Sequence, residues 1–169
     1  VPKAHTPFQW RPQDSIAELR EKRRYLSRRR LKGIKLSFHD EETSFLEGAI
    51  ARGDRRMAQV IHRAWQKGCR FDGWSEHFRF PAWQEALAEC GVDPDFYVTR
   101  GVGYDEALPW DFIDTGIDKE FLIREDELAN SGMSSSDCRH EGCNDCGVCP
   151  SLEVNLEIGE GDDALASGI

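Results

Sequence analysis

Four cysteines crowd into twelve residues near one end of the chain: Cys138, Cys143, Cys146 and Cys149. Four thiolates are the number that closes a tetrahedral zinc site or holds one iron–sulfur cube. A gap of two residues lets neighbouring thiolates reach a single ion as the backbone turns. Gly142 and Gly147 supply the conformational freedom for that turn, and Pro150 follows the last cysteine. His140 is a further donor able to stand in for a cysteine. The repeated two-residue gap is like a ferredoxin-type run, whereas many zinc sites set two such pairs across a longer loop, so the spacing leaves zinc and iron–sulfur both open. The plain alternative is four free thiols in a loop. A small secreted protein would spread its cysteines to staple loops; here Cys69 and Cys90 stand alone and the rest cluster, which points to metal ligation in a reducing compartment, the cytoplasm.

Other residues offer weaker chemistry. His39-Asp40 and Glu76-His77 are acid–imidazole neighbours, but adjacency in sequence does not imply contact, and a structural role is expected for each. His62 sits inside an amphipathic pattern and is expected to be structural too. Arg52-Gly53-Asp54-Arg55-Arg56 reads as a helix break with an aspartate cap. Its arginines are expected to pair with nearby carboxylates, phosphate or carboxylate binding being the alternative. No nucleophile elbow, P-loop, dinucleotide fingerprint or zinc-protease helix is present.

The elements that must position these residues are mostly helices. Residues 1–10 read as extended: Pro2 and Pro7 disfavour helix before them, and Phe8 and Trp10 alternate with Gln9 as in a strand. Ser15 and Glu18 form a capping box that opens a helix with Ile16, Leu19 and Leu26 on one face, ended by Gly33. Ile34, Leu36 and Phe38 alternate as a short strand. A second box, Ser44 to Glu47, opens a helix that Gly53 stops. Asp54 caps the next, in which Met57, Val60, Ile61, Ala64 and Trp65 form one apolar face. Pro81 opens a helix closed by Gly91, and a last one runs from an Asp118 cap through Leu128. The aromatics of Phe71–Trp74, Phe96–Tyr97 and Trp110–Phe112 are expected to fold back from connectors onto the core.

Composition narrows the class. In 169 residues, 39% hydrophobic content supplies an ordinary core, and no apolar run approaches the length of a membrane span, so no membrane partner is expected. The net charge of −9 hides a basic head and an acidic body: residues 1–35 carry 11 of the 22 Lys and Arg but only 3 of the 31 Asp and Glu. With no aromatic residues inside the Arg28-Arg29-Arg30 run, a basic helix lying against acidic neighbours is favoured over a nucleic-acid contact. Residues 150–169 hold five carboxylates and no Lys or Arg, the composition of a disordered tail. The opening VPKAHTPFQW lacks both a signal peptide's apolar core and an initiator methionine, as in a chain that begins inside a longer protein.

Several segments together resemble one family. VPKAHTPFQW is similar to the closing barrel strand of radical S-adenosylmethionine (SAM) enzymes. SFLEGAIARGDRRMAQVIHRAWQKGCRFDGWSEHF, then LPWDFIDTGIDKEFLIRE, then DCRHEGCNDCGVC resemble the C-terminal region of cobalamin-binding radical SAM proteins. The likeness runs through nearly all of residues 1–149. Such enzymes hold a catalytic [4Fe–4S] cluster with a CxxxCxxC motif early in the barrel. This sequence has no such motif, the four clustered cysteines have the wrong spacing for it, and the cobalamin-binding domain is missing as well.

The resemblance therefore implies a fragment that does not cleave S-adenosylmethionine alone. Its parts would be a truncated last barrel strand over residues 1–13, a helical region over 14–130, a metal-binding segment over 131–150 and an acidic tail over 151–169. Its partners would be the missing radical SAM and cobalamin-binding regions of the same protein, which would bring S-adenosylmethionine, [4Fe–4S] and cobalamin. His5 and Thr6, at the strand end, would lie near the cofactors at the barrel mouth. Arg52, Asp54, Arg55, Asp72 and Glu76 would cover or flank that mouth, and the four cysteines would hold an auxiliary cluster or zinc. The fold class expected is mainly α with one or two short strands. The rival reading is a free-standing structural zinc module that contacts a partner or RNA through its basic N-terminal helix.

Overall fold

The computed structural model describes residues 1–29 and 33–155 and is mainly helical, with no strand among the described residues. Seven α-helices follow in chain order among the described residues: α1 (Ile16–Arg28), α2 (Glu41–Arg52), α3 (Met57–Gln66), α4 (Phe80–Glu89), α5 (Pro94–Val98), α6 (Lys119–Asn130) and α7 (Val148–Ser151). No described helix is long and apolar enough to cross a membrane. The chain divides into two units. One comprises Val1–Ala4 and Phe8–Trp110; the other takes His5–Pro7 and the chain from Asp111 onward.

The core of the first unit follows from helical periodicity. Ala49 of α2, Val60 and Ala64 of α3, Ala86 of α4 and Val98 of α5 are wholly buried, and Phe45, Leu46, Met57, Phe80, Trp83 and Leu87 close around them. Small residues at these positions let helices approach closely, so that α2 packs on α5 and α3 on α4. Burial of each large side chain contributes about 1.5–3 kcal/mol. α1 is different: none of its residues is buried. The expected capping box forms, with Glu18 N–H donating to Ser15 Oγ at 3.3 Å and Ser15 N–H to Glu18 Oε2 at 2.8 Å. Arg20 and Arg23 then reach Glu42 and Glu41 at the start of α2, at 2.7 and 2.9 Å.

Several expectations need correction. Residues 1–13 do not form a strand: Pro7–Trp10 wind into one 3-10 turn, and Arg11 N–H donates to the Phe8 carbonyl. A lone strand has no ladder partner. Here the backbone bonds go elsewhere, with Val102 N–H on the Trp10 carbonyl and Gln13 N–H on the Val98 carbonyl. Residues 34–38 also lack strand pairing.

Helix limits shift where a stronger cap competes. α1 ends at Arg28 rather than at Gly33. α2 starts at Glu41, because the Asp40 carboxylate accepts Thr43 N–H at 2.8 Å and Glu41 and Glu42 favour the positive helix end. Ser44 is interior, its hydroxyl 2.7 Å from His39 Nδ1. Asp54 caps no helix; its carboxylate accepts Arg56 N–H two residues on, and Arg56 is the N-cap of α3.

Of the expected α3 face, Met57, Val60 and Ala64 are buried while Ile61 and Trp65 are exposed. The aromatic connectors divide likewise: Tyr97 and Trp110 fold back onto the core, whereas Phe71, Trp74, Phe96 and Phe112 stay exposed. Phe96 and Tyr97 also belong to α5, which Asp93 caps by accepting Asp95 N–H at 3.0 Å. The expectation of a disordered tail falls mainly on residues 156–169, outside the described residues.

Candidate metal centre

The cysteine segment is laid down by polar contacts rather than by a core. In the second unit, only Gly116, Leu122 and Asp126 are buried among the described residues. Asn144 closes the loop: its Nδ2 donates to the Ser136 carbonyl at 2.6 Å and its Oδ1 accepts the Ser136 hydroxyl at 2.9 Å. Two residues of the α6 region anchor the same stretch. Arg124 Nη2 donates to the Asn144 carbonyl at 2.9 Å, and Asp118 N–H donates to the Cys146 carbonyl at 2.9 Å. Sequence spacing pointed to neither, because each lies about 20 residues or more from its partner.

All four clustered cysteines are free thiols. Cys138 and Cys143 are exposed; Cys146 and Cys149 are half-buried. The Asp145 backbone N–H donates to Cys143 Sγ at 3.3 Å. Sulfur is a weak acceptor, and the contact holds the Cys143 side chain against the turn. The turn that makes it uses left-handed backbone at Asp145 (φ +51°) and Gly147 (φ +87°). At Gly147 a side chain would be strained twice over, since a Cβ there would sit 2.7 Å from the Asp118 carboxylate. The donor chemistry therefore fits a thiolate-ligated metal. Among the described residues, however, no three His, Cys, Asp or Glu side chains converge into a ready-made cage. The residues do not fit the cluster that binds S-adenosylmethionine, whose CxxxCxxC motif the chain lacks.

The remaining candidates are dispersed. His5 and Thr6 lie half-buried in the turn before Pro7, His5 with a left-handed φ of +54°. His62 stacks on Trp65 with ring centres 5.9 Å apart, and His77 tilts against Phe71 at 6.0 Å. Glu76 Oε2 accepts the Ser75 hydroxyl at 3.5 Å. Arg55 is exposed. Asp72 Oδ1 is buried with no hydrogen-bond partner among the described residues. Close by in sequence, burial and the Asp72 charge push the Cys69 thiol up, which makes it a poor nucleophile. His140 lies in the loop at the end of a turn made by its N–H on the Asp137 carbonyl, 3.0 Å. The neighbouring Arg139 guanidinium holds the Asp137 carboxyl down at about 2. No protein-family model, curated protein or solved structure matches the chain.

Proposed function

We propose that this chain is the C-terminal part of a cobalamin-binding radical SAM protein and that Cys138, Cys143, Cys146 and Cys149 hold an auxiliary metal centre within it. The observation that carries the metal is the loop itself. Four free thiols, two of them exposed and two half-buried, lie in one short segment, and a backbone N–H already rests on one sulfur. The resemblance of residues 1–149 supplies the family. It also places His5 and Thr6 toward the mouth of the missing barrel and the compartment in the cytoplasm. A bound iron–sulfur centre would supply electron transfer, and a bound zinc would supply structural closure. The chain's own contribution is to supply four thiols from one short segment, which metal binding would draw together. Asn144 and Arg124 hold the loop's shape, Asp145 N–H rests on Cys143 Sγ, and Gly147 gives the left-handed turn between Cys146 and Cys149.

Metal analysis of anaerobically purified protein tests this reading. Iron with sulfide and a brown absorbance, lost in Cys143→Ser and Cys146→Ser, supports the auxiliary cluster. Stoichiometric zinc lost in the same variants supports the structural ion and the rival module. Metal-free protein whose stability is unchanged by both substitutions overturns the metal site.

A further inference from the structure

Arg52, the last residue of α2, is a buried cation with 4% of its surface exposed. Its Nη1 donates to the Arg11 carbonyl, and its Nη2 lies 3.5 Å from the Arg100 carbonyl. Carbonyl oxygens satisfy donors but carry no net charge, and among the described residues no carboxylate pairs with Arg52. An uncompensated buried charge is costly. Burial, reinforced by the nearby Arg100, accordingly pulls the guanidinium below its ordinary pKa.

The same side chain lines a cavity of 240 Å³ within the first unit, walled also by Arg56, Phe96, Tyr97, Arg100 and Trp110. The other two arginines are already matched. Arg56 grips Asp54 with Nε at 3.0 Å and Nη2 at 2.7 Å, and Arg100 Nη1 binds Glu106 at 2.8 Å. Both also stand over the Phe96 ring, at 5.9 and 4.4 Å from its centre. The Tyr97 hydroxyl is committed to Asp54 at 3.0 Å and the Trp110 indole N–H to Gln9 at 2.7 Å. Three guanidiniums thus face two carboxylates, and one positive charge is left over among aromatic walls. A planar monoanion matches that surplus and the fork geometry of a guanidinium; a phosphate dianion would over-neutralise it.

We propose that this cavity binds a small carboxylate with a flat apolar body. The carboxylate pairs with Arg52 through the donors its two carbonyl partners leave over, and the body lies against Phe96, Tyr97 and Trp110. The site is built wholly from residues of the first unit and does not rest on the metal reading.

Titration of the full chain with benzoate, followed by NMR, is the test. Saturable binding that moves the Trp110 indole N–H signal is expected. Arg52→Lys keeps the charge but loses the fork and should weaken binding about tenfold. Because a change at a buried arginine can prevent folding, Ala107→Phe provides the second arm. Ala107 is an exposed residue lining the cavity, so the added ring blocks the cavity without touching the core. It should weaken benzoate binding at least tenfold at an unchanged melting midpoint. No saturable benzoate binding to the folded chain, or undiminished binding in folded Ala107→Phe, overturns the site. Tighter binding of phenyl phosphate than of benzoate overturns the carboxylate assignment.

Discussion

Asp54 organises the turn between α2 and α3 with one carboxylate. It accepts the Arg56 N–H at 2.9 Å, the Arg56 guanidinium on both oxygens and the Tyr97 hydroxyl. The Arg56 hydrogen bond is the largest reason its pKa falls from 3.8 to about 2. A carboxyl depressed in the folded state stabilises the fold fully above its ordinary pKa and loses that contribution as pH falls through the depressed value. Since about a third of the Asp54 side chain is exposed, solvent screening reduces the gain to about 1 kcal/mol. Asp54→Asn should therefore lower stability by about that amount at neutral pH and by much less near pH 2, as urea midpoints across this range will report. The RGDRR stretch was legible as a helix break, but the aspartate cap expected there does not form, because the Asp54 carboxylate turns to Arg56 instead. The burial of Arg52 was not legible, because it depends on carbonyls at Arg11 and Arg100, brought together only by the fold.

At the level of elements, α3 shows what periodicity reads well and what it misses. Apolar residues at positions 57, 60, 61, 64 and 65 promise a broad buried stripe, but only three are buried, because α4 covers one side of α3 and, among the described residues, no helix covers Ile61 and Trp65 to the same extent. Val60→Ala should cost about 2 kcal/mol and Ile61→Ala less than about 0.5 kcal/mol, measured as paired denaturation curves. Helix existence was thus legible from pattern, while helix limits were not. The Asp40 cap outcompeted the Ser44 box, and the pairing that would make a strand of residues 34–38 has no partner among the described residues. Gly53 was legible as a stop, but for a further reason than its sequence suggests. A Cβ there would meet the Ala49 carbonyl at 2.6 Å and collide with the Met57 side chain, which packs under the turn. Gly53→Ala should destabilise by about 1–3 kcal/mol, and a fall in melting midpoint without loss of helical circular dichroism at low temperature will check it.

Across the whole molecule, apolar burial and chemistry are unevenly shared. Part of the basic head lies against acidic neighbours: Arg20 and Arg23 reach the start of α2, and Lys22 reaches Asp14 at 2.5 Å. Before Asp111 the buried apolar residues among the described ones belong to α2–α5, their connectors (Cys69 and Val92) and the flanking Trp10, Leu108 and Trp110. Beyond Asp111 the only large apolar side chain buried among the described residues is Leu122. The hydrogen bonds of Asn144, Arg124 and Asp118 therefore shape the cysteine segment with little hydrophobic support, and bonds of this kind net only about 1 kcal/mol each. Regions with few buried contacts open locally at low cost, so amides of residues 111–151 should exchange faster than those of α2–α4 in metal-free protein. A ligand that binds only the closed loop stabilises it by about 2.7 kcal/mol at a hundredfold excess over Kd, enough to slow local opening about a hundredfold. Hydrogen exchange with and without the bound metal should show that slowing across residues 116–151, with α2–α4 unchanged, and Cys143→Ser should abolish it. Equal exchange in both states would mean that the thiols and the backbone around them are not thermodynamically coupled through an ion.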